Sequence, residues 1–169
     1  MPTYEKADQT VIKLAGELIA KYHSTRKLAD LNIDILFARG DQDKNGIKTG
    51  PALKVHGIRA FGKTRKVPER ERAMGRGDAE ITIDGDWWNS VDEERRAALI
   101  DHELNHLSVN TDDEDRVLVD NLTRPKITIL HHDIDVGWFA ATARRHGAAS
   151  IEMQQAKAIS DEYGQLFWP

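Results

Sequence analysis

The stretch "RRAALIDHELNHLSVN", Arg95 to Asn110, sets His102 and His106 four residues apart, with Glu103 directly after the first. On a helix, residues four apart lie on one side, a turn apart, so both imidazoles can address a single ion. Glu103 falls about 100° round the helix from His102. That suits contact with a water at the ion better than ligation of the ion itself. The chemistry such a set can do is hydrolysis. A catalytic zinc takes three protein ligands and keeps one position for water. That water ionises with a pKa of roughly 7. Glu103, as general base, takes its proton and then hands it to a leaving amine. Sequences of this composition spell the pattern by chance about twice in a hundred, so its surroundings carry weight.

A third ligand must come from elsewhere. His131, His132, Asp133 and Asp135 cluster 25 to 29 residues beyond His106. Strand alternation sends His131 and His132 to opposite faces, so one of them sees the ion, and spacing alone does not choose between them. Asp133 serves equally well as a helix N-cap, Asp135 as a first-turn acid and His131 as a core histidine. The chain has no cysteine, which excludes disulfides and thiolate sites and leaves His, Asp and Glu as ligands. Three imidazoles suit Zn2+.

The elements that must position these groups are readable from periodicity. Val11, Leu14, Ala15, Leu18, Ile19 and Tyr22 mark one face of an N-terminal helix over 8–25. Lys21, His23, Arg26 and Lys27 lie near its end, where positive charge suits the helix dipole. Leu31 to Phe37 and Ala79 to Ile83 alternate as strands, with a loop at "RGDQDKNGIKTGP" and a short strand near Leu53 to Ile58 between them. The motif helix starts at a cap, either Ser90 with Glu93 or Asp92, and runs to about Leu107. A polar connection leads to a third strand, Lys126 to His131. A helix from Ile134 to His146 follows, capped by Asp133 and closed by Gly147. A last helix occupies 150–164, before the aromatic pair Phe167-Trp168. The expected fold class is α+β: a small mixed or antiparallel sheet packed on the motif helix and flanking helices, in one domain over 1–169. The strand from Ala79 to Ile83 is the expected edge for an extended peptide.

Composition bounds the rest. Forty per cent apolar and 31% charged residues are ordinary for a soluble globular chain long enough to bury a core. No apolar run reaches membrane-spanning length and "MPTYEKADQT" lacks the core of a signal peptide, so a cytoplasmic setting and no membrane partner are expected. Between Lys54 and Arg76 the charge is +6, leaving −10 for the remainder. A solvated loop is the simpler reading of that segment, and a phosphate-binding surface the other. Only Phe61 interleaves it, so base stacking has little support. Trp87 and Trp88 are expected to split, one ring in the core and one at the surface. His23 and His56 lie away from the motif and are expected to face solvent.

The segments "WWNSVDEERRAALIDHELNHL" and "HHDIDVGWFAATARRHG" resemble those of the phage metallopeptidases, a zincin-like family related to the SprT-type proteases. The likeness covers about 29–147 and includes "ADLNIDILFAR", "ALKVHGIRAF" and "AEITID". Trp88 stands fourteen residues before the first histidine, as in that family. The family's later motif is a His-Asp pair opening a helix that ends near Arg145-His146-Gly147. Asp133 follows His132, so the resemblance implies His132 as third ligand beside His102 and His106. "IDVGWF" departs from the family's register. The helices over 8–25 and 150–164 fall outside the motifs and read as additions for packing or partner binding.

The resemblance implies a zinc-dependent peptidase acting on a protein or peptide, in the host cytoplasm where a phage encodes it. The group stabilising the oxyanion is open among His131, His146 and Tyr163. Two other readings stand beside it. One is a catalytically silent metal-binding protein of phage or prophage origin that holds nucleic acid or a host protein through 54–76. The other is a structural zinc domain, closed by a fourth ligand from His131, Asp133 or Asp135.

Overall fold

A computed structural model describes residues 2–46, 48–55, 57–132 and 138–163. Strand β1 (Thr3–Lys6) leads into helix α1 (Gln9–Tyr22), whose first turn is capped by the Asp8 carboxylate accepting from the Thr10 and Val11 amides. Val11, Ala15 and Leu18 form its buried stripe, as the 3.6-residue spacing predicts. Two 3₁₀ turns then reverse the chain, with Lys27 left-handed between them at φ 55°.

Strand β2 (Ile33–Arg39) pairs antiparallel with β1. A long loop carries the two-residue strands β3 (Lys54–Val55) and β4 (Ile58–Arg59), a small hairpin where one short strand was expected. Strand β5 (Gly62–Lys66), helix α2 (Glu69–Ala73) and strand β6 (Ala79–Asp84) follow. The sheet order is β1-β2-β6-β5, with β2 and β6 parallel and β5 antiparallel to β6.

Strand β6 is therefore not the edge expected from its sequence. Every residue of it is buried, and it pairs on both sides. The edge is β5. Its Lys and Arg content suits an exposed edge, where charge discourages unwanted pairing. Alternation could not reveal this, because the polar side chains Glu80, Thr82 and Asp84 are also buried.

Helix α3 (Gly85–Trp88) is one short turn capped by Asp84. Helix α4 (Glu93–Asn105) carries the motif. Of the two candidate caps Asp92 acts, accepting from the Arg95 amide, while the Ser90 hydroxyl donates to the Trp87 carbonyl. The helix stops at His106, its C-cap, short of Leu107, because Leu107 opens β7 (Leu107–Val109). That strand pairs antiparallel with β8 (Ile127–Ile129). Between them, Asp112 and Asp120 each accept from two backbone amides and close successive turns.

Helix α5 (Ala140–His146) is shorter than expected, beginning after an extended Phe139. The expected cap Asp133 and the start near Ile134 lie outside the described residues, as do His56, Asp135 and Phe167-Trp168. Gly147 closes α5 at φ 51°, and helix α6 (Ile151–Tyr163) ends the described chain. The main core joins α1, the inner faces of β2 and β6, α4, β7 and β8. Trp88 is in this core against Phe37, while Trp87 is half-buried and stacks on Phe61 at 5.0 Å, the split expected of that pair. Among the described residues no helix is long and apolar enough to cross a membrane.

Candidate metal centre

Helix α4 presents His102 and His106 one turn apart, with ring centroids separated by 5.3 Å. Strand pairing brings in the third histidine. Leu107 pairs with Ile129, and the Leu130 amide donates to the His106 carbonyl at 2.7 Å. The chain beyond Leu130 thus runs back along α4, antiparallel to it, and His132 arrives beside His102. Its Nε2 is 3.3 Å from Nε2 of His102, and its ring centroid is 4.6 Å from that of His106. One ring nitrogen from each of the three lies within 4.8 Å of the others. His131 is not in this group and sits on the wall of the adjoining cleft.

On His102 and His106 the other ring nitrogen is already engaged. Nδ1 of His102 is 2.6 Å from Glu152 Oε1, and Nδ1 of His106 is 2.8 Å from the Leu130 carbonyl. Oxygen acceptors at Nδ1 favour the proton there and leave Nε2 with a free lone pair. Two nitrogens at tetrahedral corners around zinc stand about 3.3 Å apart, which matches the His102–His132 separation. The donor set therefore fits a zinc ion. Phe139 closes one side, with its ring about 5 Å from all three imidazoles. Burial and the neighbouring imidazoles push His106 down to about 4, so it is neutral and able to ligate at neutral pH. For His102, burial opposes protonation, but the hydrogen bond to Glu152 and nearby carboxylates hold its affinity for a proton above the ordinary value.

Glu103 is buried at 3% exposure and turned towards β5. The Thr64 hydroxyl lies 2.7 Å from its Oε2 and 3.1 Å from its carbonyl oxygen, a clamp on side chain and backbone together. Gly62 makes room for the carboxylate: a Cβ there would stand 2.3 Å from Oε1. Burial dominates its ionisation and pushes the carboxyl above its usual value, against His102 and the Thr64 hydrogen bond. A carboxyl raised in this way is better matched to taking and returning a proton near neutrality.

Rotation of α4 is fixed from behind. Asp101 is fully buried and accepts two hydrogen bonds from Arg145 Nη1, at 2.9 and 3.0 Å. His23 Nε2 is 2.7 Å from its Oδ1, and His146 Nε2 is 3.1 Å from its Oδ2. Asn105 donates to Thr142 of α5 and accepts from Arg26. His23 was expected to face solvent and is instead 1% exposed, because the end of α1 packs across α4. His146, a candidate for the oxyanion, is engaged with Asp101 behind α4. Asp133, Asp135 and the Tyr163 side chain are outside what is described.

In front of the histidines is a cleft of about 500 Å³. Its lining includes Phe61 and Lys63, Val55 and Arg59 of the β3–β4 hairpin, and Ile129, Trp138 and Ile151. The basic segment spends much of its charge internally. Arg65 binds Glu71 and Glu80, Arg72 binds Asp78 and Asp120, and Arg76 binds Asp34 and Glu80.

Sequence reasoning missed Gly62, Thr64, Asp101, Phe139 and Glu152. No local signal marks them, since each acts through a partner 13 or more residues away in the chain.

The family model described as "Putative phage metallopeptidase" matches residues 3–163. The match takes in α1 and α6, which the motif-level likeness over 29–147 left out. No curated protein and no solved structure is detectably similar to the chain.

Proposed function

The chain belongs to the putative phage metallopeptidase family, and from that premise we propose that it is a zinc-dependent peptidase with a zincin-like centre. His102, His106 and His132 hold the ion. When bound, zinc supplies Lewis acidity, polarising the scissile carbonyl and making water acidic enough to ionise near neutral pH. The single observation that carries this reading is the position of Glu103: a buried carboxylate, one residue from His102, clamped by Thr64 beside an open cleft.

Glu103 receives the proton from the attacking water as the new C–O bond forms. It delivers that proton to the amide nitrogen as the C–N bond breaks, so that the nitrogen leaves as an amine. Thr64 holds the carboxylate in reach during both transfers. An extended substrate segment has unpaired backbone groups, and β5, which among the described residues pairs only with β6, offers partners for them along its other edge. This edge, not β6, is the surface along which we set the peptide. His131 is on the cleft wall and takes the place of oxyanion donor in this scheme.

The test is Glu103→Gln, assayed on an unfolded protein substrate alongside zinc content. The expected result is one equivalent of zinc retained and proteolysis lost. Proteolysis at the wild-type rate would remove Glu103 from the mechanism. The silent-binder reading through 54–76 has less support, because Arg65, Arg72 and Arg76 are committed to carboxylates of the same chain. The closed structural-zinc reading lacks His131 as a fourth donor in the described cluster.

A further inference from the structure

Helix α6 contributes a carboxylate to the centre from the far end of the chain. Glu152 is in its first turn, 1% exposed, and its Oε1 is 2.6 Å from Nδ1 of His102. The same oxygen is 3.4 Å from the amide of Phe139, the residue whose ring contacts all three imidazoles. Two further contacts anchor this arrangement. The Ser150 hydroxyl accepts from the Met153 amide at the start of α6, and the Trp138 indole donates to Gln155 at 2.7 Å. Among the described residues, Glu152 Oε2 is buried with no hydrogen-bond partner. A buried carboxylate with an idle oxygen is costly unless positive charge stands close. A dication held by the opposite nitrogen of the His102 ring would supply such charge through the imidazole.

We infer that Glu152 is a positioning residue for the metal centre: it fixes the tautomer and direction of the His102 ring, and so makes α6 a working part of the site. The inference rests on the metal reading above and adds a residue that never touches substrate. A carboxylate accepting from Nδ1–H keeps the proton on that nitrogen, aims Nε2 at the ion and raises its basicity. Through the Phe139 amide, the same group ties the residue before α5 to α6. Residues 138 to 155 then act as one support behind the triad.

The experiment compares wild type, Glu152→Gln and Glu152→Ala. Gln keeps the shape and an acceptor oxygen but removes the charge, and Ala removes both. Zinc affinity is measured by competition with a chromophoric chelator, and the visible spectrum of the cobalt-loaded protein reports ligand geometry. The melting temperature of metal-free protein reports the fold. The expected result is a zinc Kd weakened about 10–100-fold in Glu152→Gln, with an altered cobalt spectrum and a metal-free melting temperature close to wild type. A Glu152→Gln zinc Kd within threefold of wild type would overturn the proposal, whatever the melting temperature does. If Glu152→Ala fails to fold, the Gln variant alone decides. Wild type that binds no zinc would sink the metal reading and this inference with it. Wild type that binds, beside a Gln variant that binds equally, sinks only the role of Glu152.

Discussion

A Cβ on Gly62 would lie 2.3 Å from Oε1 of Glu103 and 2.7 Å from its carboxyl carbon. The edge strand and the motif helix approach so closely there that a hydrogen in place of a side chain is the condition for the carboxylate's position. Gly62→Ala should swing the carboxylate away from Thr64 and the cleft. Proteolysis is expected to fall at least tenfold while zinc stays bound, with overpacking costing about 1–3 kcal/mol of stability. Kinetics with parallel zinc analysis checks this. Full activity would mean that Glu103 need not stay where Gly62 admits it.

His131 and His132 are adjacent in sequence but not equivalent. His132→Ala removes one of three clustered donors and should weaken zinc binding by two orders of magnitude or more. His131→Ala should leave affinity within about threefold and lower kcat instead. Equilibrium zinc competition separates the two, and the reverse ranking would exchange their roles.

Removal of the ion should loosen the junction of α4, β8 and α6. Zinc free at a thousand times its Kd stabilises a folded chain by about 4 kcal/mol over the metal-free form. A chelator should therefore lower the melting temperature reversibly, and His132→Ala should lose most of that response. Identical melting curves with and without chelator would argue that no ion binds the native state.

Asp101 is the buried anchor for His23, Arg145 and His146. Burial works against its charge, but hydrogen bonds from His146, His23 and Arg145 hold its carboxyl well below the usual carboxylate range. Asp101→Ala strands those partners, and about 3–5 kcal/mol of stability should be lost in urea unfolding. A loss under 1 kcal/mol would show that α4 is held by its apolar face alone.

The outer face of the sheet sets an acid limit. The Arg65 hydrogen bonds, against partial burial, hold Glu80 below its ordinary value. For Asp34 burial works the other way, but the Gly77 amide and the Arg76 guanidinium still hold it low. Both folded-state values lie below the unfolded ones, near 4. Their contribution is thus complete above about pH 4 and lost as pH falls through the folded values. Glu80→Gln should be less stable at pH 7 and show a shallower decline below about pH 4 in unfolding titrations. An unchanged acid slope would remove this network as the cause.

The parts legible in the sequence are those that repeat with a local period or sit at a fixed spacing. The stripe of α1, the alternation of β2 and β6, the cap at Asp92 and the one-turn spacing of His102 and His106 all depend on neighbours within a few residues. Helix and strand geometry fixes those relations before any tertiary contact forms. Asp92 could be named as a cap candidate, but its choice over Ser90 depended on where the Ser90 hydroxyl found a carbonyl.

The remainder was decided by packing between distant segments. Edge and centre of a sheet are defined by which strands lie alongside, so β6 looked like an edge and proved central. The burial of His23 needed α1 to cross α4, and the support of His102 needed α6 to return 50 residues later. The sequence determined that two imidazoles and a carboxylate would share a helix. Only the tertiary structure decided what stands opposite each of them, because hydrogen bonds, burial and the local field come from groups that the chain brings close in space and keeps far apart in order.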